Sequence, residues 1–273
     1  MLALFKETIM KKYRAAIFDI DDTLYDSKTK TFINSSIEGI KKLQENKVKV
    51  ILATGRPPQT ASAIFQYGVK PDYIVCVNGH IILNEDNQII HQRTFSKDLV
   101  NRIYQYCLEN DIGLLWKYPD LTYEYIHKDV FNNFYYKTKD SIKKVVFDIK
   151  DEHKRRCPNG GCLGCSSKKA DIFNAHFARE AVAIKIDELS SDLLLYGVNK
   201  LSGVKTVLEK EKIGFHQCIG FGDNNNDLEI LSEVKTSVAV GNGSEQLKQK
   251  VYYITDDIAD DGVYKALVKF GLI

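Results

Sequence analysis

Ala15-Ala16-Ile17-Phe18-Asp19-Ile20-Asp21-Asp22-Thr23-Leu24 is a short apolar run that ends in three closely spaced carboxylates. The apolar part predicts a buried strand. Carboxylates crowded at the end of such a strand repel one another, so either their pKa values rise or a cation sits among them. Polar groups just past the carboxyl end of a strand also lie where open α/β sheets place their ligands. This stretch therefore points to a metal-assisted reaction on a phosphate or similar anion.

Working outward, the first quarter of the chain alternates strand and helix. A strand over about 14–20 leads to the acidic loop, and a helix capped by Asn34 or Ser35 runs to about 46, with Ile37, Ile40 and Leu43 at helical spacing. A second strand, 48–53, ends at Thr54-Gly55-Arg56, after which Pro57-Pro58 open a helix that stops at Gly68. A third strand, 73–77, ends at Asn78-Gly79. The alternation returns over 201–273, with strands at 218–221, 236–240 and 251–254 between helices. Strands separated by helices at these intervals predict an α/β fold with a doubly wound parallel sheet, Rossmann-like, built from 1–79 and 196–273. Between them, 80–195 changes character. A hairpin at 81–90, a helix capped by Ser96 and strand-like aromatic stretches around Trp116, Tyr118, Tyr123 and Tyr125 predict an inserted α+β module. Those aromatics could face a substrate or form the core of the insert.

Composition narrows the class. With 273 residues, 44% hydrophobic and 27% charged, the chain has ample material for a core. A net charge of +2 gives no footprint for nucleic acid or an anionic membrane. No apolar run approaches the roughly 20 residues that span a bilayer. The first residues, Met1 to Met10, are too short and too charged for a signal peptide, and Met10 is a second candidate start. Of the six cysteines, Cys76, Cys107 and Cys218 fall in apolar segments as buried thiols. Without an export signal or a disulfide framework, the expected compartment is the reducing cytoplasm. No feature points to a protein partner.

Four separated elements point to one site. They are Asp19-x-Asp21, Thr54, Lys200 at the start of a helix, and Gly222-Asp223-Asn-Asn-Asn226-Asp227 after a buried strand. Each has a bland reading: an acidic turn, a strand-to-helix turn, a solvated lysine, a helix cap. Together, in this order, they resemble the motifs of the haloacid dehalogenase-like (HAD) hydrolases. The position of the insert is similar to that of the Cof-type subgroup with a type IIB cap, as are Ala239-Val-Gly-Asn242 and Asp261-Gly-Val263. Asp22 departs from the glycine often found at that position in the subgroup, and adds negative charge.

The resemblance implies a Mg²⁺-dependent phosphatase acting on a small phosphorylated metabolite, in which Asp19 is the nucleophile and Asp21 the general acid and base. A carboxylate is an adequate nucleophile toward phosphorus once a cation screens the charges. Thr54 and Lys200 would hold the transferring phosphoryl oxygens, with Gly55, Arg56, Asn78 and Asn226 lining the phosphate pocket. Asp19, Asp21, Asp223 and Asp227 would supply an oxygen shell for Mg²⁺. A phosphotransferase or mutase with the same motifs, or a non-catalytic phosphate-binding module, stays open.

One stretch stands apart. Cys157-Pro-Asn-Gly-Gly-Cys162-Leu-Gly-Cys165 has the Pro and Gly content of a flexible loop, and His153 lies four residues earlier. These four residues could form a structural Zn²⁺ site, and the alternatives are free thiols or a reversible disulfide.

Overall fold

Alternation within the first strand sets the architecture. In Ala15–Phe18 all four side chains are buried, Ala16 and Phe18 on one face and Ala15 and Ile17 on the other. A strand buried on both faces belongs in the middle of a sheet with helices on both sides. The computed structural model, which describes residues 13–132, 145–148 and 150–273, shows that arrangement. The candidate starts Met1 and Met10 lie outside the described residues.

The larger sheet has eight strands in the order Tyr253–Ile254, Thr236–Ala239, Cys218–Gly222, Ala15–Phe18, Lys49–Ala53, Tyr73–Cys76, Ile81–Asn84 and Ile89–Gln92. The first six are parallel. On one face Phe18, Val50 and Leu52 pack against Ile37, Ile40 and Leu43 of the helix Asn34–Glu45 and Leu267 of the helix Gly262–Lys269. On the other, Ile17 and Ile51 pack against Val204, Val207 and Leu208 of the helix Lys200–Glu211 and Leu231 of the helix Leu228–Glu233.

Two expectations need correction. The hairpin predicted at the start of the insert is present, but its strands pair antiparallel onto Tyr73–Cys76 and extend the larger sheet past residue 79. Its buried residues Ile81, Ile82 and Leu83 complete the core there. The helix Asn34–Glu45 is preceded by Ile33 as its cap residue, with no side-chain cap, because the Ser35 hydroxyl donates to Asp261 instead.

A second sheet of six strands runs Val145–Phe147, Thr122–Ile126, Gly113–Lys117, Gly160–Gly164, Ser190–Leu195, Ala181–Lys185. The helices Lys97–Glu109 and Ser167–His176 cover one face, where Leu114, Trp116, Leu163 and Leu193 pack with Phe173 and Val100. Ser96 caps the first of these helices, its hydroxyl accepting from the Leu99 N–H at 3.2 Å. Trp116 and Tyr118 are fully buried, and Tyr123 and Tyr125 pack on the same cluster. The aromatic residues are therefore core of the insert.

The opposite face of this second sheet follows from its register. Leu115, Cys162 and Asp192 stand opposite one another across three strands, and Lys117 and Gly160 share their face two residues along. That face meets the larger sheet. A Cβ on Gly160 would come within 2.4 Å of Val77 Cγ1, so the missing side chain is what lets the two layers close.

The cysteine stretch is the clearest correction. It is strand rather than flexible loop over Gly160–Gly164. Cys162 packs with Leu115 and Phe131, whereas Cys165 belongs to the cluster on the helix-covered side. His153 sits between Tyr104 and Tyr125, with ring centroids 5.3 and 4.9 Å away. All six cysteines are free thiols, and the single group of described residues placed to hold a metal lies elsewhere. Cys162 and Cys165 fall in different clusters and His153 is packed between two tyrosines, so the expected Zn²⁺ site of His153, Cys157, Cys162 and Cys165 is not formed. Among the described residues, no helix is long and apolar enough to cross a membrane.

Candidate active site

The central parallel strands deliver their following loops to one end of the sheet. Phe18 hands on directly to Asp19, whose N–H donates to the Phe221 carbonyl at 3.1 Å. Thr54 follows Ala53, its N–H bonded to Val75 O at 2.8 Å. Asp223 follows the strand Cys218–Gly222. Lys200 opens its helix behind a capping box in which the Asn199 side chain accepts from Ser202 N–H.

Close backbone approach puts that lysine where it is. Gly79 has φ +97°, and a Cβ there would lie 2.1 Å from the Asn199 carbonyl oxygen. Two glycines, Gly79 and Gly203, thus let the helix start press against the end of the third strand.

At the centre, Lys200 Nζ bridges Asp19 Oδ1 at 2.7 Å and Asp227 Oδ1 at 2.8 Å. Lys200 is 2% exposed and Asp19 7%. The other Asp227 oxygen accepts from the N–H groups of Asp223 and Asn224 at 3.1 and 3.2 Å. Gly222 is required here, since a Cβ would sit 2.6 Å from that oxygen. Asp223 also accepts a 3.3 Å bond from the Thr23 hydroxyl. One oxygen from each of Asp19, Asp223 and Asp227 lies within 4.8 Å of the others.

This arrangement strains the ionisation of the acids. Burial, then the neighbouring charges of Asp19 and Asp227, push Asp223 up to about 9. Burial raises Asp19 to about 7 against the pull of Lys200. For Lys200, burial favours the neutral amine, but the charges of Asp19 and Asp227 outweigh it and the ammonium is held. One ammonium among three carboxylates leaves an excess of negative charge. A hard divalent cation, which takes carboxylate oxygens, fits this donor set.

Of the four acids expected around a metal, Asp21 stands apart from the group. It accepts from Arg56 Nε at 2.9 and 3.1 Å and from Nη2 at 2.6 Å. Arg56 is itself buried and lies over the Tyr25 ring at 4.4 Å. Arg56, expected to line the phosphate pocket, pairs bidentately with Asp21, the geometry in which a guanidinium meets a carboxylate. Thr54 is fully buried, and its hydroxyl accepts from Arg56 N–H at 3.1 Å. Asn226 is exposed on its turn.

Asn78, with φ 48°, donates from Nδ2 to Asp192 Oδ2 at 2.9 Å. That partner was not anticipated. Asp192 and Lys117, both from the second sheet, pair at 2.6 Å, and Lys117 Nζ also donates to Gly55 O at 3.3 Å. The available signal was a charge inside each of two apolar strands, Leu114-Leu-Trp-Lys117 and Asp192-Leu-Leu-Leu195. Another such residue is His80, where the chain passes into the insert. Its Nδ1 bonds Val77 O at 2.8 Å, and its Nε2 accepts from Leu195 N–H at 3.1 Å.

The chain is similar to several known proteins. A family model described as haloacid dehalogenase-like hydrolase matches residues 16–267. A phosphoglycolate phosphatase of Archaeoglobus fulgidus is 26% identical over 264 residues, covering 97% of this chain and 100% of that protein. The structure of BT1666 from Bacteroides thetaiotaomicron, studied among phosphatases of the HAD superfamily, aligns with a TM-score of 0.86 at 22% identity, over 96% of this chain and 97% of the other. That of BT4131, described as a HAD subclass IIB sugar phosphatase, aligns at 0.83 and 20% identity over 95% and 100%.

Proposed function

The chain belongs to the haloacid dehalogenase-like hydrolases, and on that premise we propose that it is a Mg²⁺-dependent phosphatase that cleaves a small phosphomonoester through an aspartyl-phosphate on Asp19. The observation that carries this reading is the buried bridge of Lys200 between Asp19 and Asp227, beside the Asp223 carboxylate. A structural ion pair needs no third acid next to it, whereas phosphoryl transfer needs a nucleophile and cations around the phosphate.

In the proposed reaction an Asp19 carboxylate oxygen forms a bond to phosphorus as the ester P–O bond breaks. Asp21, once it leaves the Arg56 guanidinium and carries a proton, gives that proton to the departing alcohol oxygen. A water then attacks phosphorus and yields its proton to Asp21, and Asp19 is released with inorganic phosphate. Thr54 and Lys200 hold the phosphoryl oxygens throughout. Mg²⁺, held by Asp19, Asp223 and Asp227, would supply charge that offsets the repulsion between carboxylate and phosphate.

The test is release of inorganic phosphate from a panel of phosphomonoesters, with and without Mg²⁺. Release that needs Mg²⁺ and uses water as acceptor is expected. Transfer to a second hydroxyl compound, without free phosphate, would make the protein a phosphotransferase instead.

The ionisation of the acids gives a second expected result. Asp19 and Asp223 are raised above their unfolded value near 3.8. In metal-free protein their contribution to stability is thus present at low pH and is lost as pH rises through about 7 and about 9. Bound Mg²⁺ relieves that loss. Thermal melts should show a larger rise in Tm on adding Mg²⁺ at pH 9 than at pH 6. Equal rises at the two pH values would contradict a cation on these acids.

A further inference from the structure

We infer that His80 is a positioning residue for the hydrolysis. Its imidazole ties the Val77–Gly79 turn, which abuts Thr54, to the strand that leads into Lys200, and so fixes those two groups relative to each other. This rests on the phosphatase reading, in which Thr54 and Lys200 together hold the phosphoryl oxygens.

Each ring nitrogen has one task. Nε2 accepts from the Leu195 N–H at 3.1 Å, so the proton sits on Nδ1, which donates to Val77 O at 2.8 Å. His80 is fully buried, and burial pushes it down to about 4, which keeps the ring neutral and both bonds in place near neutral pH. The ring also stacks on Phe95, with centroids 6.2 Å apart.

Both bonds lead to the active site. Val77 and Asn78 each have φ 48°, left-handed backbone that a β-branched valine adopts only under constraint. From that turn the Val77 N–H donates to Arg56 O and the Asn78 N–H to Thr54 O, both at 2.9 Å. On the other side, Leu195 ends its strand, and its carbonyl accepts from Val198 N–H at 3.1 Å just before Asn199 caps the Lys200 helix. The turn and the helix start also approach closely at Gly79 and Asn199. Steric contact of that kind can only push the two apart. His80 supplies the attraction that holds them together.

Three substitutions test this, assayed with Mg²⁺ on p-nitrophenyl phosphate and on the fastest ester of the panel. His80→Asn keeps a donor at the Nδ1 position and loses the acceptor for Leu195. His80→Gln does the reverse. His80→Phe keeps a ring beside Phe95 and loses both bonds. Because the two bonds act in series, cutting either or both should lower kcat by a similar factor, about five- to twentyfold, with KM within about twofold of wild type. Wild-type kcat in His80→Phe would show that the ring only packs. A loss in His80→Phe equal to the product of the other two losses would show two independent structural bonds. A raised KM with unchanged kcat would place His80 at the substrate. Each of these would overturn the inference while the phosphatase reading survives. Thermal melting sets an assay temperature at which every variant is folded. Should His80→Phe fail to fold, unchanged kcat in either of the other two would overturn the inference alone. No hydrolysis of any phosphomonoester by wild type would overturn both readings.

Discussion

Asp19→Asn is expected to lower phosphate release by on the order of 10⁴-fold or more, since it removes the nucleophile while leaving the shape of the site intact. The substitution is isosteric, and the asparagine carbonyl can still accept the bond that Lys200 gives to Oδ1 at 2.7 Å. Lys200 also keeps its second partner, Asp227. The loss of activity should therefore come without loss of fold. Metal-free Asp19→Asn protein should melt at or above the wild-type temperature, because one member of a mutually repelling group of acids has become neutral. Activity within tenfold of wild type would show that Asp19 does not form the bond to phosphorus.

Lys200→Met should act in the opposite way on stability. It leaves Asp19 and Asp227, both buried, without the ammonium that bridges them. Breaking a buried pair from one side costs about 3–5 kcal/mol, far more than a surface ion pair is worth. Urea denaturation of metal-free protein at pH 8 should show that loss. The penalty should shrink as pH falls, because Asp19, which burial already raises, takes up a proton in the folded state and ceases to be charged. Hydrolysis should fall by roughly 10²–10³-fold, the usual consequence of removing a group that stabilises charge in the transition state. A destabilisation under about 1 kcal/mol at pH 8 would mean that the bridge is incidental.

These two variants separate what a single loss of activity would confuse. Asp19 is a chemical group in a tolerant place, whereas Lys200 is also a structural counter-charge. Only the second should move the denaturation midpoint strongly. The contrast follows from burial: a carboxylate removed from a crowd of acids relieves repulsion, but an ammonium removed from between two acids exposes it.

The amino-acid sequence already contained the order of the core. Ala15–Phe18, Lys49–Ala53 and Tyr73–Cys76 are nearly uniform apolar runs, and helices at regular intervals between such runs lead to a parallel sheet wound on both faces. Because loops after parallel strands gather at one end, the residues following those runs could be assigned to one place: Asp19, Thr54 and Asp223, with Lys200 at a helix start. That inference needs only local pattern and connectivity.

What the sequence could not supply is everything that depends on two distant surfaces meeting. Nothing local distinguishes the hairpin Ile81–Gln92 as the continuation of the larger sheet from the opening of an insert, since its partner strand Tyr73–Cys76 is chosen only when the sheet assembles. The cysteine run looked like a ligand loop by composition, yet strand alternation sends Cys162 and Cys165 to different clusters. Arg56 went to Asp21 and Lys117 to Asp192, and each choice was made by which opposite charge lay within reach once the layers had packed. Periodicity and connectivity act along the chain and survive in the one-dimensional text. Charge pairing and desolvation act through space, over a few ångströms, and take a definite value only after folding has brought residues 75 positions apart into contact.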